Sequence, residues 1–159
     1  MLFKSVMHIA LTTNQMDEML DFYCNKLGLN QKVVVRYKSY KGMTSRPEKA
    51  KLAEENPEGI FNAYIEITDG QFIELFPMKP NQKPHSKYNE YLGYSHFALL
   101  VDDIFETRER LAKVGICPDS EPTKGPSETW QMWYHDPDGN KFEVMQYTEK
   151  SYQVVGHID

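Results

Sequence analysis

Cysteine is scarce in this sequence. The chain contains only Cys24 and Cys117, and these two do not form a short Cys-x-x-Cys spacing. A redox or metal motif built from thiols uses that spacing, so the sequence indicates neither. We expect both thiols to be reduced and structural, as small buried hydrophobic groups, rather than catalytic nucleophiles.

Long apolar runs are also missing. The longest run, residues 97–101, falls far short of the roughly 18 residues that a membrane-spanning helix needs. No apolar signal-peptide core follows the first methionine either. We therefore expect a cytoplasmic protein with no membrane partner.

Positive charge is in deficit, because the net charge is −5 at pH 7. Proteins that bind nucleic acid neutralise phosphates with clustered lysine and arginine side chains. The sequence offers no such cluster, which excludes nucleic acid as the expected partner. A small molecule fits this composition better.

What the chain does contain is typical of a globular protein. Hydrophobic residues make up 40% of the sequence and charged residues 26%, which argues against disorder. A chain of 159 residues is long enough to bury a substantial core. We expect a single domain over 1–159, in which two half-size modules pack together.

An internal repeat is the most informative feature. The segment MHIALTT, beginning at Met7, aligns with SHFALLV, beginning at Ser95, and this places His8 over His96. Farther along, the segment DGQFIE aligns with DGNKFE, and this places Glu74 over Glu143. Each half of the chain therefore carries one His–Glu pair at the same position of the repeat.

The two halves also share a predicted order of elements, which is a strand, a helix, and then two or three strands. The first module covers about 1–77 and the second about 92–147, with a polar connector at 78–91. Predicted strands lie at about 5–12, 31–37, 61–67, 71–77, 94–101, 128–135 and 140–147. Predicted helices lie at about 15–27, with Asn14 as its cap and Gly28 as its end, and at about 103–114. A proline-rich loop follows the second helix through Pro118, Pro122 and Pro126.

The first module carries a polar insertion at 38–59. Two interpretations of this insertion stay open: a mobile flap over a pocket, or a solvated loop with a helical turn. The tail from Thr148 to Asp159 gives no firm signal. On the strand at 128–135, Trp130 and Trp133 point to opposite faces, so we expect one to line a pocket or an interface and the other to fill the core.

The repeated histidines and glutamates suggest a metal site. A carboxylate between aromatic neighbours is costly to bury without a charge partner, and Glu74 lies between Phe72 and Phe76 on one strand face. A divalent cation is one possible charge partner, and a lysine or arginine side chain is the alternative partner. Two imidazoles and two carboxylates suit nickel, cobalt or zinc, and also manganese or iron. His85, His135 and His157 have no repeat partners, and we do not expect them to be ligands.

These features resemble the vicinal oxygen chelate superfamily, which contains glyoxalase I, methylmalonyl-CoA epimerase, fosfomycin-resistance enzymes and extradiol dioxygenases. The resemblance rests on the paired strands, the repeat and the segment DPDGNKFEVMQY. It implies an α+β fold of two βαβββ modules, whose curved sheets form a cup around one metal. It also implies a homodimer, in which the two modules pair within one chain or across two.

Within that superfamily, the ligand types resemble the bacterial kind of glyoxalase I. The resemblance implies that His8, Glu74, His96 and Glu143 bind the metal. Dioxygenases and fosfomycin-resistance proteins typically use two histidines and one glutamate, and the epimerase typically has glutamine in place of Glu74. The segments KYNEYLGYSHFAL and EPTKGPSETWQMWYHDPDGN are similar to glyoxalase I as well.

The implied activity is that of a glyoxalase I-like lyase or isomerase. Its substrate would be a hemithioacetal, the adduct of a thiol, or a related α-hydroxycarbonyl, and the reaction a metal-assisted proton transfer. Glu143 is the first choice as the catalytic base, and Glu74 is its counterpart. Two alternatives stay open: another chemistry of the superfamily, such as iron-dependent ring cleavage or epimerisation, and a non-catalytic protein that binds a drug or metabolite.

One position departs from the glyoxalase I pattern. That family commonly has an arginine four residues after the first histidine, where it meets a carboxylate of glutathione, and this chain has Thr12 there. Arg36, Lys41, Arg46 or Lys49 could supply a cation instead, or could be solvated surface charges. The identity of the thiol therefore stays open.

Overall fold

The computed structural model describes residues 2, 4–83, 88–90 and 92–158. The chain divides into two units, Met1–Gln82 and Lys83–Asp159. Each unit contains one four-stranded mixed sheet together with helices. The predicted α+β class is therefore confirmed, while the grouping of both modules into a single domain stays a prediction.

The first unit contains a βαβββ arrangement with helices inserted before its third strand. Its strands are β1 (His8–Thr13), β2 (Asn30–Arg36), β3 (Ile60–Thr68) and β4 (Gln71–Pro77). Its helices are α1 (Met16–Leu20), which continues as a π-helical segment (Asp21–Lys26), a 3₁₀ turn (Tyr37–Tyr40) and α2 (Pro47–Glu55). The strand order is β1-β4-β3-β2, and only the β1–β4 pair is parallel.

The second unit repeats this arrangement. Its elements are β5 (Phe97–Leu100), α3 (Ile104–Lys113), β6 (Ser120–Lys124), β7 (Trp130–His135), β8 (Lys141–Gln146) and α4 (Tyr152–Val155). The strand order is β5-β8-β7-β6, again with one parallel pair, between β5 and β8. In each unit, the strand that begins at or just after the predicted histidine ligand is thus paired with the strand that carries the predicted glutamate ligand.

Strand alternation separates the face that the helix covers from the opposite face in each sheet. In β4, Ile73 and Leu75 are fully buried on the side where α1 packs, and Glu74 points to the opposite side. In β8, Phe142 and Val144 are buried in the same way, beneath α3, and Glu143 points away from them. Burial of these apolar side chains fixes the strand register, because a slip of one residue would exchange the two faces.

A glycine with positive φ precedes each glutamate strand. Gly70 (φ +74°) closes the turn between β3 and β4, and Gly139 (φ +82°) closes the equivalent turn between β7 and β8. Residues with a Cβ rarely adopt this conformation, so glycine suits both turns. The predicted repeat therefore extends to the backbone of the turns.

The predicted helix cap and the predicted proline-rich loop are both wrong. Asn14 does not cap the first helix: Gln15 is at the cap position, and its backbone N–H donates to Thr13 Oγ1. The predicted proline-rich loop contains β6, which includes Pro122. Because β6 is an edge strand with a register irregularity, it tolerates a residue that lacks an N–H donor.

The insertion is mainly helical, with a nine-residue helix rather than a single helical turn. Ala53 of α2 is buried, and α2 packs against the 3₁₀ turn. Both cysteines are free, but Cys117 is exposed, so its predicted role as a buried hydrophobic group is wrong. Among the described residues, no helix combines the length and the apolar character needed to cross a membrane.

Candidate metal and catalytic site

The first unit brings His8 and Glu74 together. His8 begins β1, and its strand neighbour Ala10 lies opposite Glu74 in β4. His8 Nε2 is 3.4 Å from Glu74 Oε2, and the other ring nitrogen, Nδ1, contacts the Met7 sulfur. The imidazole is 38% exposed, whereas the carboxylate is only 6% exposed.

Two neighbours on β3 hold the Glu74 carboxylate. Asn62 is buried, and its Nδ2 donates to Glu74 Oε1 over 2.6 Å. Tyr64 lies directly opposite Glu74 in the β3–β4 register. A hydrogen bond with the Glu74 carboxylate, together with burial, raises the pKa of Tyr64 to about 12. Glu74 is therefore a buried carboxylate with polar partners on two sides.

The second unit brings His96 and Glu143 together at the same separation. His96 immediately precedes β5, which begins later than the predicted strand, and its Nε2 is 3.4 Å from Glu143 Oε2. The other ring nitrogen lies 3.0 Å from Ser95 Oγ, which in turn donates to Asn89 Oδ1 over 2.9 Å. The Trp133 ring lies edge-on to the imidazole, with 4.7 Å between ring centroids.

The two glutamates have different surroundings. Trp133 lies opposite Glu143 in the register, at the position that Tyr64 has opposite Glu74. The Glu143 side chain is 12% exposed. Among the described residues, one hydrogen-bond or ion-pair partner is found for it, and that partner is His96. Glu143 therefore has fewer fixed donors than Glu74, although both pairs have the same spacing.

Asn62, Tyr64 and Trp133 are site residues that the sequence interpretation missed or left undecided. Extending the repeat one strand farther back would have revealed Tyr64 and Trp133, because each precedes its glutamate by the same number of residues. Asn62 has the same kind of signal, because another amide residue stands at the equivalent distance before Glu143. Trp130 points to the other face of β7, where it packs against Phe105 of α3 with 5.2 Å between ring centroids and is half-buried.

Two of the other histidines, His135 and His157, have partners of their own. His135 Nδ1 is 2.7 Å from Asp119 Oδ1, and the other oxygen of that carboxylate accepts from Lys141. Burial tends to raise the pKa of Asp119, but hydrogen bonds from Lys141 and His135 outweigh it, so the net shift is downward. His157 stacks on Tyr152. His85 lies outside the described residues.

Both pairs have donor types and a spacing that fit a divalent cation. Two ligands at about 2.0–2.2 Å from one ion are roughly 2.9 Å apart at a right angle and roughly 3.4 Å apart at a tetrahedral angle. The observed Nε2–Oε2 separations are 3.4 Å. Metal-binding histidines usually hydrogen-bond through their second nitrogen, as His96 does with Ser95.

One unit alone does not provide a full ligand set. Among the described residues, no group of three or more His, Cys, Asp or Glu side chains lies close enough together to hold a metal ion. His8 and Glu74 thus lie together in the first unit, and His96 and Glu143 lie together in the second, each pair as one nitrogen and one oxygen donor.

The sequence matches one family model over residues 5–144, that of the Glyoxalase/Bleomycin resistance protein/Dioxygenase superfamily. Similar proteins include a probable lactoylglutathione lyase of Synechocystis sp., 28% identical over 91% of this chain and 97% of that protein. A lactoylglutathione lyase of Neisseria meningitidis serogroup A is 29% identical over 89% of each chain.

Solved structures show the same fold. A glyoxalase family protein from Enterococcus faecalis matches with a TM-score of 0.68 and 24% identity, over 91% of this chain and 99% of that one. A lactoylglutathione lyase from Agrobacterium tumefaciens matches with a TM-score of 0.61 and 18% identity, over 99% of this chain and 100% of that one.

Proposed function

The chain belongs to the Glyoxalase/Bleomycin resistance protein/Dioxygenase superfamily, and we propose that it is a glyoxalase I-like lyase that depends on a divalent metal. The substrate is a hemithioacetal or a related α-hydroxycarbonyl, and the reaction moves one proton between neighbouring carbons. His8, Glu74, His96 and Glu143 are the proposed ligands, for nickel, cobalt or zinc before manganese or iron. Relatives named lactoylglutathione lyase support this choice of reaction.

The observation that carries the proposal is the equal spacing of the two pairs. A surface ion pair would not require the same 3.4 Å separation at the same position of both repeats. Two ligands of a shared cation would require it. Glu74 supports this interpretation further, because a carboxylate buried at the centre of its sheet face needs a positive partner.

When bound, the cation would polarise the two substrate oxygens and stabilise the negative charge that develops when the proton leaves. The chain itself supplies the base and its orientation. Glu74 stays in place because Asn62 and Tyr64 hold its carboxylate. Glu143 has no such donors among the described residues, so its carboxylate is the less constrained of the two.

Glu143 therefore acts as the base. Its carboxylate takes the proton from the carbon that bears sulfur, and the C–H electron pair becomes the double bond of an enediolate. The same carboxyl group then returns the proton to the neighbouring carbon. The hydroxyl proton of the carbon that bears sulfur passes to the oxygen of its neighbour, which leaves a thioester of a 2-hydroxy acid. Trp133 and His96 lie beside this carboxylate: Trp133 is opposite Glu143 in the strand register, and His96 Nε2 is 3.4 Å from its Oε2.

Metal analysis tests the proposed ligands. Purified protein loaded with nickel or zinc should retain about one ion per chain, measured by plasma mass spectrometry. The reason is that one His8–Glu74 pair and one His96–Glu143 pair together supply the four proposed ligands. His96→Ala and Glu143→Ala should lose the ion, and His135→Ala, which removes a histidine of the same unit, should keep it. Metal content near zero in the loaded wild-type protein would contradict the proposal.

A substrate panel tests the reaction separately. The metal-loaded protein should convert the methylglyoxal adduct of glutathione or of another thiol into its thioester, which absorbs in the ultraviolet. Conversion of a different adduct with none for glutathione would identify another thiol as the natural carrier. Failure with every adduct would reject the lyase and would leave ring cleavage, epimerisation or ligand binding to be assayed.

Two further proposals concern the assembly and its location. We propose a homodimer. A full ligand set needs one pair of the His8–Glu74 kind and one of the His96–Glu143 kind, and in a dimer each chain can supply a pair to the other. Light scattering after size-exclusion chromatography should give twice the chain mass. A cytoplasmic location stays a prediction, and fractionation of cells that express the native protein would test it.

A further inference from the structure

The imidazole of His96 has an acceptor near each of its two nitrogens. Ser95 Oγ lies 3.0 Å from Nδ1, and Glu143 Oε2 lies 3.4 Å from Nε2. A neutral imidazole carries one proton, and the better placed acceptor decides which nitrogen bears it. The contact with Ser95 is within hydrogen-bond range, whereas the distance to Glu143 exceeds the usual limit of about 3.2 Å. The geometry therefore favours a proton on Nδ1.

A second hydrogen bond decides the direction of the contact between His96 and Ser95. The Ser95 hydroxyl has one proton, and it donates that proton to Asn89 Oδ1 over 2.9 Å. The hydroxyl oxygen then accepts from His96, so Nδ1 is the donor and Nε2 keeps its lone pair. Hydrogen bonds in such a chain polarise one another, and this strengthens the preference of the proton for Nδ1.

The backbone and two aromatic rings hold these hydrogen-bonded groups in place. Asn89 has φ +58°, a conformation that asparagine adopts more readily than most residues. The ring of Trp133 lies 4.7 Å from that of His96, and the ring of Tyr88 lies 6.4 Å from it, measured between centroids. These rings oppose a half-turn of the imidazole, which would exchange its nitrogens for carbons. The connector between the modules thus supplies both Tyr88 and Asn89 to the surroundings of one proposed ligand.

Among the described residues, the other repeat has no counterpart of this arrangement. Met7 stands where Ser95 stands in the alignment of the two halves, and its sulfur contacts Nδ1 of His8. A thioether sulfur is a weak acceptor and has no proton to pass on. It therefore holds a proton on Nδ1 of His8 less firmly than the Ser95 hydroxyl does on His96. The two histidines thus differ in their neighbours, as the two glutamates do.

We propose that Ser95, with Asn89 behind it, is a positioning residue that holds the proton of His96 on Nδ1 and leaves the Nε2 lone pair free for the cation. A cation binds the nitrogen that lacks a proton, so a ring already in this form need not move its proton when the ion arrives. The second unit thus presents a prepared nitrogen ligand, and the first unit a less prepared one. The role in cation binding rests on the proposed function, whereas the position of the proton does not.

Nuclear magnetic resonance of the metal-free full chain, labelled with ¹⁵N-histidine, tests the position of the proton. At about pH 9, above the range in which histidine ordinarily titrates, the ¹⁵N shifts distinguish a protonated ring nitrogen from an unprotonated one. Wild type should carry the His96 proton on Nδ1, and Ser95→Ala should move it to Nε2, because Glu143 is then the remaining acceptor. Asn89→Asp should keep it on Nδ1, since a carboxylate only accepts. A wild-type proton on Nε2, or the same proton position in Ser95→Ala as in wild type, would overturn the proposal.

Zinc affinity, measured by competition with a chelator, tests the consequence for cation binding. Ser95→Ala should bind zinc about tenfold more weakly, which is the lower end of the usual effect of losing such a hydrogen-bond partner. Ser95→Thr keeps the hydroxyl and should bind within about threefold of wild type. The matched control Met7→Leu, at the equivalent position of the repeat, removes only a weak acceptor and should stay within about twofold.

The two measurements separate failure of this proposal from failure of the proposed function. A proton that moves in Ser95→Ala, in a protein that retains no zinc, would support the position of the proton and reject the metal site. Equal zinc affinity of Ser95→Ala and wild type would overturn the positioning role. An equal loss of zinc affinity in Met7→Leu and Ser95→Ala would overturn it as well, because the thioether has no proton to pass on.

Discussion

Replacing Asn62 with leucine tests whether the buried amide holds Glu74 in place. The bond from Asn62 Nδ2 to Glu74 Oε1 spans 2.6 Å between two buried side chains. A hydrogen bond to a charged group contributes about 1.5–3 kcal/mol. Part of that loss is offset, because Asn62 Oδ1 is buried without a partner among the described residues, and leucine removes this unpaired acceptor. We expect Asn62→Leu to lower the free energy of unfolding by about 1–2 kcal/mol.

The chain offers a matched control in its other unit. Gln131 stands in the same position relative to Glu143 as Asn62 does relative to Glu74, and no hydrogen bond joins it to that carboxylate among the described residues. Gln131→Met should change stability by less than about 0.5 kcal/mol, as is usual away from buried polar contacts. Urea unfolding of metal-free protein, followed by far-ultraviolet circular dichroism, gives both values. Equal effects of the two substitutions would refute the reasoning.

Three further predictions concern the base, a turn and pH. Glu143→Gln should lower kcat by about 10²–10⁴-fold, which is the usual contribution of a general base. Glu74→Gln should act mainly by weakening metal retention. Equal losses of kcat in the two variants with metal fully bound would refute the assignment of Glu143, and not Glu74, as the base. Gly139→Ala should lower the free energy of unfolding by about 1–3 kcal/mol in thermal or urea unfolding, because φ is +82°. Asp119→Asn should destabilise by about 1 kcal/mol at neutral pH. Because the pKa of Asp119 is lowered in the folded state from its ordinary 3.8, its contribution is present above that value and lost as pH falls below it, so the two unfolding curves should converge there.

The element order was predictable because burial imposes a clear period on the sequence. In β4 and β8, alternating apolar residues point to the core side, and the glutamates fall between them. The start of the first helix was not predictable in the same way, because Asn14 and Thr13 are both plausible hydrogen-bonding residues there and only the chain path selects Thr13. Strand β6 was missed because Pro122 argues against a strand unless the strand lies at an edge, which is a property of the whole sheet.

The sequence identified the repeated residues of the candidate site but not their neighbours. A histidine and a glutamate at equivalent positions stand out as soon as the halves are aligned. Asn62 and Tyr64 act on Glu74 from an adjacent strand, so their role depends on a register that the sequence pattern does not specify. The role of Asn89 depends on tertiary structure even more, because the path of the connector decides whether its amide reaches Ser95.

The difference between Glu74 and Glu143 bears on how a duplicated site could acquire two roles. Two carboxylates with the same neighbours would be held equally firmly, and nothing would distinguish one of them as the proposed base. Different neighbours separate the roles of paired titratable groups. Here Tyr64 and Asn62 supply donors to Glu74, while Trp133, at the position equivalent to Tyr64, has no hydroxyl to offer Glu143. The difference between tyrosine in one half and tryptophan in the other therefore removes a donor from one carboxylate. The distance from histidine Nε2 to glutamate Oε2 is 3.4 Å in both pairs all the same.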